Sequence, residues 1–151
     1  MANYTIYVGP RAKPGEVARG LGEEAACPSE WTMLHAASFH ATSVGARNAA
    51  IVAEEYGIIP STRVAFEIDP DDVHGGRDTM FRAIARLAAV IEDDLIAITS
   101  DDRAMLWRHE GRAIVNLDVL LPRDVGLLGP PWGGGTGADL PRSIPFAEPE
   151  Q

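Results

Sequence analysis

The sequence predicts a single α+β domain, in which a mixed, mostly antiparallel sheet carries two or three helices on one face. Three observations support this prediction. Residues 63–68 alternate between apolar and polar side chains, which is the period of a strand with one buried face. Apolar residues between 78 and 92 recur at three- and four-residue spacing, as in an amphipathic helix. Three short apolar runs between residues 95 and 117 are separated by turn sequences, a pattern typical of consecutive antiparallel strands.

Composition limits the classes of protein to which the chain can belong. A chain of 151 residues fits one domain, which buries roughly 70% of its unfolded surface without disulfides. The single cysteine, Cys27, excludes an intramolecular disulfide and a cysteine-based zinc cluster. The net charge of −9, from 22 acidic and 13 basic residues, argues against a nucleic-acid partner, because binding to phosphates needs a basic surface.

Targeting signals give the expected compartment. The N-terminal residues contain no basic segment followed by a long apolar stretch, so a signal peptide is not expected. No segment approaches the roughly 20 apolar residues that a membrane span needs. We therefore expect a cytoplasmic protein with no membrane partner.

The N-terminal third is predicted to alternate between strands and helices. Residues 4–8 favour a strand that ends at Gly9-Pro10. A short helix over residues 14–25 begins at Pro14, which suits a first helical position. The segments that follow are two β segments and an alanine-rich helix ending at Gly57, predicted over residues 31–35, 38–44 and 46–56.

The helix predicted over residues 78–92 has the clearest pattern in the chain. Asp78 is a suitable N-cap. The apolar face comprises Phe81, Ile84, Leu87, Ala88 and Ile91. Three acidic residues, 92–94, follow at the end of the helix, where the helix dipole disfavours each nearby negative charge by about 0.3–1 kcal/mol. We interpret them as a solvated turn that leads into a strand over residues 95–99.

The composition changes at Pro122. Six prolines and six glycines fall within the last 30 residues, which argues against a helix or a central strand there. We therefore assign residues 1–121 to the domain and residues 122–151 to a tail or surface wrap. Removing the chain from Gly129 onward is expected to leave the melting temperature nearly unchanged, unless Trp132 or Phe146 docks on the core.

Motifs for catalysis, metals or cofactors are not found. The histidines lack the convergent spacing of metal ligands, and no Gly-x-Ser-x-Gly nucleophile motif occurs. The glycine-rich run that begins at Gly129 lacks the lysine, the preceding strand and the following helix of a phosphate-binding loop. We expect no catalytic residues, no metal and no cofactor. Two alternatives stay open, namely a small enzyme such as a hydrolase that uses His35 and His40, and a regulatory protein-binding module.

Two acidic turns form the first candidate site. The strand at 63–68 is followed by acidic residues at 69–72, and the strand at 95–99 is followed by Ser100-Asp101-Asp102. A helix that crosses back between two such strands makes them parallel, so both turns are expected at the same edge of the sheet. The predicted partner-binding patch is Asp69, Asp71, Asp72, Asp101 and Asp102. It could bind a cation or a protein, although aspartate is also simply common in turns.

Trp107 is a second candidate for partner binding. On a strand, Trp107 and Leu106 point to opposite faces. If Leu106 lies in the core with Ile96 and Ile98, Trp107 is left on the outer face, where a tryptophan can anchor an interface. Burial of Trp107 in the core is the alternative.

Several segments together resemble one family. Residues 54–69 combine an aromatic-Gly-x-x-Pro sequence with a Val-x-Phe strand. They are followed by the apolar helix, an acidic turn, and the motifs Leu-x-Arg and Gly-x-x-x-x-Asn within residues 104–117. This pattern, over about residues 54–117, resembles the immunity proteins of the swarming-inhibition toxin (Sit) type, from bacterial polymorphic toxin systems. Two positions depart from it, since Asp69-Pro70 replaces an expected basic residue and the expected aromatic end is displaced to Trp132.

The resemblance implies a function. An immunity protein of this type binds a cognate protein toxin in the cytoplasm and occludes it without catalysis. The charge of −9 would suit a basic toxin.

Overall fold

The computed structural model describes residues 3–22, 31–130 and 132–135. Cys27 lies outside these residues. The first helix ends at Leu21, before the predicted end near residue 25, because the backbone of Gly22 is extended. Strands and helices follow one another along the described chain in the order β1 (Asn3–Gly9), α1 (Pro14–Leu21), β2 (Thr32–Leu34), β3 (Ala37–Ser43), α2 (Ala46–Tyr56), β4 (Thr62–Ile68), α3 (Val73–Val90), β5 (Asp94–Ile98), β6 (Ala104–His109), β7 (Arg112–Asn116), α4 (Pro122–Leu128) and β8 (Gly133–Gly135).

The strands form one sheet in the order β2-β3-β4-β1-β5-β6-β7-β8. Neighbouring strands are antiparallel, except that β8 runs parallel to β7. The N-terminal strand β1 lies near the centre and pairs with β4 on one side and with β5 on the other. The α+β class predicted from the sequence is therefore confirmed.

The sheet has a hydrophobic cluster on each face. The main cluster lies under α1, α3 and α4, and it includes Ile6, Val64 and Phe66 from the alternating positions of β1 and β4. The smaller cluster lies under α2 on the opposite face. Its members are Val52, Tyr56, Ile58, Ile96, Ile98, Ala104 and Ile114. Three helices thus cover one face, the number expected. The predicted helix α2 lies on the other face, however, and α4, which was not predicted, is the third helix on the first face.

Helix α3 begins earlier than predicted. Asp72, not Asp78, is the N-cap, and its carboxylate accepts a hydrogen bond of 3.0 Å from the N–H of Gly75. Asp78 lies inside the helix and pairs with Arg123 of α4. The sequence did not predict this start, because Gly75 and Gly76 are unfavourable in a helix. Glycine is nevertheless required at position 76, since a Cβ there would collide with the carbonyl oxygen of Ala36.

The end of α3 is held by an arginine from β6. The guanidinium of Arg108 donates to the carbonyl oxygens of Ala88 at 2.8 Å, of Asp93 at 2.7 Å and of Ile91. The carboxylate of Asp93 accepts from the N–H groups of residues 11 and 12, at 2.8 and 2.6 Å. Specific tertiary contacts therefore replace the expected solvated turn, and the cation offsets the unfavourable charge at the helix end.

The segment after Leu121 is more regular than predicted. Residues 122–128 form α4, with Pro122 at the first position of the helix. Asp124 of α4 is 2% exposed and pairs with Arg77 of α3 at 2.7 Å. Trp132 is 8% exposed and belongs to the main cluster. The prediction of no helix here was wrong, whereas the assignment of a tail stays a prediction for residues 136–151, Phe146 included, which lie outside the described part.

Leu87 provides a test of the core of α3. Its side chain is fully buried in the main cluster, so Leu87→Ala should lower the free energy of unfolding by about 2–5 kcal/mol. Val90 on the same helix is 69% exposed, and Val90→Ala is the matched control, expected to change stability by less than about 0.5 kcal/mol. Denaturant unfolding measures both. A loss below about 1 kcal/mol for Leu87→Ala would contradict the assigned packing.

Trp132 provides a test of the C-terminal segment. Ending the chain at Leu128 removes Trp132 from the main cluster and β8 from the sheet. Losing a buried tryptophan costs about 3–5 kcal/mol, so thermal unfolding should show a fall of about 10 °C in the melting temperature. A chain that ends at Gly135 keeps both features and is the control. Equal melting temperatures for the two chains would contradict this packing, and would indicate that the residues from Gly129 onward do not stabilise the core.

Candidate partner-binding site

The two acidic turns lie at the same end of the sheet. Because β1 is antiparallel to both β4 and β5, those two strands are parallel to each other and end on the same side. One strand separates them, so their ends are about 10 Å apart at the usual spacing. We call this side the acidic end and define it by the five predicted residues, Asp69, Asp71, Asp72, Asp101 and Asp102.

Three of the five carboxylates also have local structural roles. Asp69 accepts a hydrogen bond of 2.9 Å from the N–H of Asp71. Asp72 caps α3, with Nε2 of His35 3.6 Å from its carboxylate. Asp101 accepts a hydrogen bond from the hydroxyl of Thr99.

The remaining two carboxylates at the acidic end have no such role. Within the described part of the chain, the side chains of Asp71 and Asp102 have no hydrogen-bond or ion-pair partner. Turn formation therefore explains part of the acidic end and leaves Asp71 and Asp102 available to a partner.

Trp107 lies on the α2 face of the sheet, half-buried, opposite Ile96 on β5. Its Nε1 donates a hydrogen bond of 3.3 Å to the carbonyl oxygen of Tyr56 at the end of α2. Leu106 points into the main cluster on the other face and not towards Ile96, which corrects the expected arrangement. Trp107 therefore joins β6 to α2 while keeping part of its ring accessible.

A groove of about 400 Å³ lies between α2 and the sheet, next to the acidic end. Its walls come from α2, from β1 and from the turn after β5. The side chains that define its chemistry are Thr5, Tyr7, Ile51, Glu55, Tyr56 and Asp102. Only Asp102 was predicted as a site residue, because the other five carry no local sequence signal and are brought together by the fold.

The position of Tyr56 in this groove shifts the pKa of its hydroxyl. Burial raises the pKa of its hydroxyl to about 12, with further contributions from the negative charges of Glu55 and Asp102 and from Tyr7. The hydroxyl therefore stays protonated near neutral pH and is poorly matched to general acid–base catalysis. Its surroundings favour binding of a polar or cationic group.

The histidines proposed for the enzyme alternative are not brought together. His35 lies in the two-residue turn between β2 and β3, while His40 lies within β3 against the ring of Trp31, 4.3 Å between centroids. At about 3.4 Å per residue, the position of His40 is roughly 10 Å along the strand from that turn. Among the residues that the structure describes, no group of three His, Cys, Asp or Glu side chains could hold a metal ion.

None of the described helices is both long enough and apolar enough to cross a bilayer.

Comparison with known proteins identifies the family. The model of the SitI3-like family matches residues 4–122, from β1 to the first residue of α4. No curated protein and no solved structure matches the chain significantly. The match extends beyond the segment at 54–117 on which the resemblance was based, and it includes all but the first residue of the strand at the centre of the sheet and every residue that lines the groove except Asn3. The chain belongs to the SitI3-like family.

Proposed function

We propose that this protein is an immunity protein, which binds a cognate protein toxin in the cytoplasm and neutralises it by occlusion, without turnover. The observation that carries the proposal is the SitI3-like match over residues 4–122. It is supported by the acidic end, where the side chains of Asp71 and Asp102 have no hydrogen-bond or ion-pair partner among the described residues. It is also supported by the groove, because Tyr56 stays protonated near neutral pH and therefore suits binding better than proton transfer.

The acidic end is the proposed contact region, with Trp107 as a separate anchor. Its five carboxylates project from two neighbouring turns, in a chain whose net charge is −9. A basic surface on the toxin would be drawn to this end during the diffusional encounter, which speeds association and makes it sensitive to salt. The half-buried ring of Trp107 would then pack against an apolar part of the toxin.

Co-expression with the toxin tests the proposal directly. An immunity gene is expected directly downstream of its toxin gene, so the partner to use is the toxin domain of the protein encoded by the adjacent upstream gene. Cells that produce the toxin domain should survive when this protein is co-produced, and the purified proteins should form a stable complex. Survival without any complex would contradict occlusion, and toxicity despite full co-production would contradict immunity.

The acidic end is tested by association kinetics. Replacing all five aspartates with asparagine should slow association with the toxin domain about tenfold or more at low salt, because electrostatic steering is lost. Asparagine keeps an acceptor oxygen for the cap at Asp72 and tolerates the positive φ of 64° at Asp102, so the fold should be preserved. Stopped-flow mixing at several salt concentrations measures the effect.

A smaller variant separates steering from turn structure. Asp71→Asn with Asp102→Asn removes only the two carboxylates without local partners and should slow association in the same direction. The matched control is Glu92→Gln with Glu110→Gln, two exposed acids at the opposite end of the sheet. Equal rates for this control pair and the Asp71/Asp102 pair would remove the acidic end from the interface.

A further inference from the structure

We propose that the groove between α2 and the sheet receives an arginine side chain of the partner protein. This inference rests on the proposed function and deepens it, because it assigns to the interface a pocket and the chemistry of the group that enters it. The pocket is distinct from most of the acidic end, with which it shares only Asp102.

The charge of the groove favours a cation. Glu55 on α2 and Asp102 in the turn after β5 both line it, and none of the described residues that line it is a lysine, an arginine or a histidine. Across the described residues, neither carboxylate has a hydrogen-bond or ion-pair partner. Elsewhere in the described chain, by contrast, Asp78 and Asp124 are each paired with an arginine.

Among the described residues, the hydroxyl of Tyr56 also lacks a partner. Tyr56 is only 6% exposed and lines the groove, and its hydroxyl makes no hydrogen bond to another described residue. The hydroxyl oxygen is not fully enclosed by protein, so a ligand atom that enters the groove can bond to it in place of water. This observation is independent of the acidic charges, and it locates a polar contact point inside the groove.

The shape and lining favour arginine over a compact ammonium group. A guanidinium presents five N–H donors in one plane, so it can bond two carboxylates and a hydroxyl at once. The partly buried ring of Tyr7 also lines the groove, and a guanidinium can pack against an aromatic ring. Ile51 and Ile98 provide apolar contact for the methylene groups of the same side chain.

A small-molecule titration tests the groove without the toxin. N-acetyl-arginine amide should shift the backbone amide resonances of Thr5, Ile51, Glu55 and Thr99 in NMR spectra of the full chain. The neutral isostere N-acetyl-citrulline amide, at the same concentrations, should not. Equal shifts with citrulline, or shifts at other residues only, would overturn the inference.

Two substitutions test whether the arginine amide binds in the groove. Glu55→Gln should weaken binding of the arginine amide by about three- to tenfold, whereas Glu54→Gln, exposed on the same helix, should not. Tyr56→Phe removes only an unpartnered hydroxyl, so it should leave the unfolding midpoint unchanged while weakening arginine binding. Unchanged arginine affinity in both Glu55→Gln and Tyr56→Phe would overturn the inference.

The toxin domain then distinguishes this inference from the function on which it rests. Glu55→Gln should raise the Kd for the toxin about tenfold, and Glu54→Gln should not change it. If the unaltered protein binds the toxin and Glu55→Gln binds equally well, the groove is not part of the interface, while the proposed function stands. If the unaltered protein does not bind the toxin at all, the proposed function fails, whatever the arginine amide does.

Discussion

The position of β1 determines most of the architecture. The N-terminal strand is inserted between β4 and β5 and pairs with both over five or six residues. Because it is antiparallel to each, β4 and β5 must run in the same direction, and α3 must cross the sheet to join them. The two acidic turns, the groove and the main cluster all follow from this single pairing, although β5 begins at Asp94 and β1 ends at Gly9, 85 positions earlier in the sequence.

The elements with strong periodicity could be predicted from sequence, and those shaped by tertiary contact could not. The alternation of Val64, Phe66 and Ile68 was sufficient to predict strand β4. The spacing of Phe81, Ile84 and Leu87 was sufficient to predict the buried face of α3. The early start of α3 was hidden because its first turns contain Gly75 and Gly76, which local propensity disfavours in a helix. The close approach of α3 to the turn before β3 selects glycine there, and that constraint is visible only in three dimensions.

The candidate site likewise has one part that could be predicted from sequence and one part that could not. Its acidic turns were predictable because strand direction follows from a crossover helix, a rule that needs only the order of elements. The groove was not, because Thr5, Glu55 and Asp102 belong to three elements that are distant in sequence. Similarly, the acids at 92–94 are unfavourable when α3 is considered alone, and they become favourable once Arg108 and the N–H groups of residues 11 and 12 are adjacent.

The two hydrophobic clusters lie on opposite faces of one sheet. The residues of the larger cluster are therefore different from those that line the groove. The larger cluster under α1, α3 and α4 contains most of the buried hydrophobic residues, while the groove borders only the smaller one. Substitutions among the exposed groove and turn residues therefore alter what the surface recognises with little effect on folding. For the immunity function that we propose, such a division would allow the specificity for a toxin to change while the scaffold is kept.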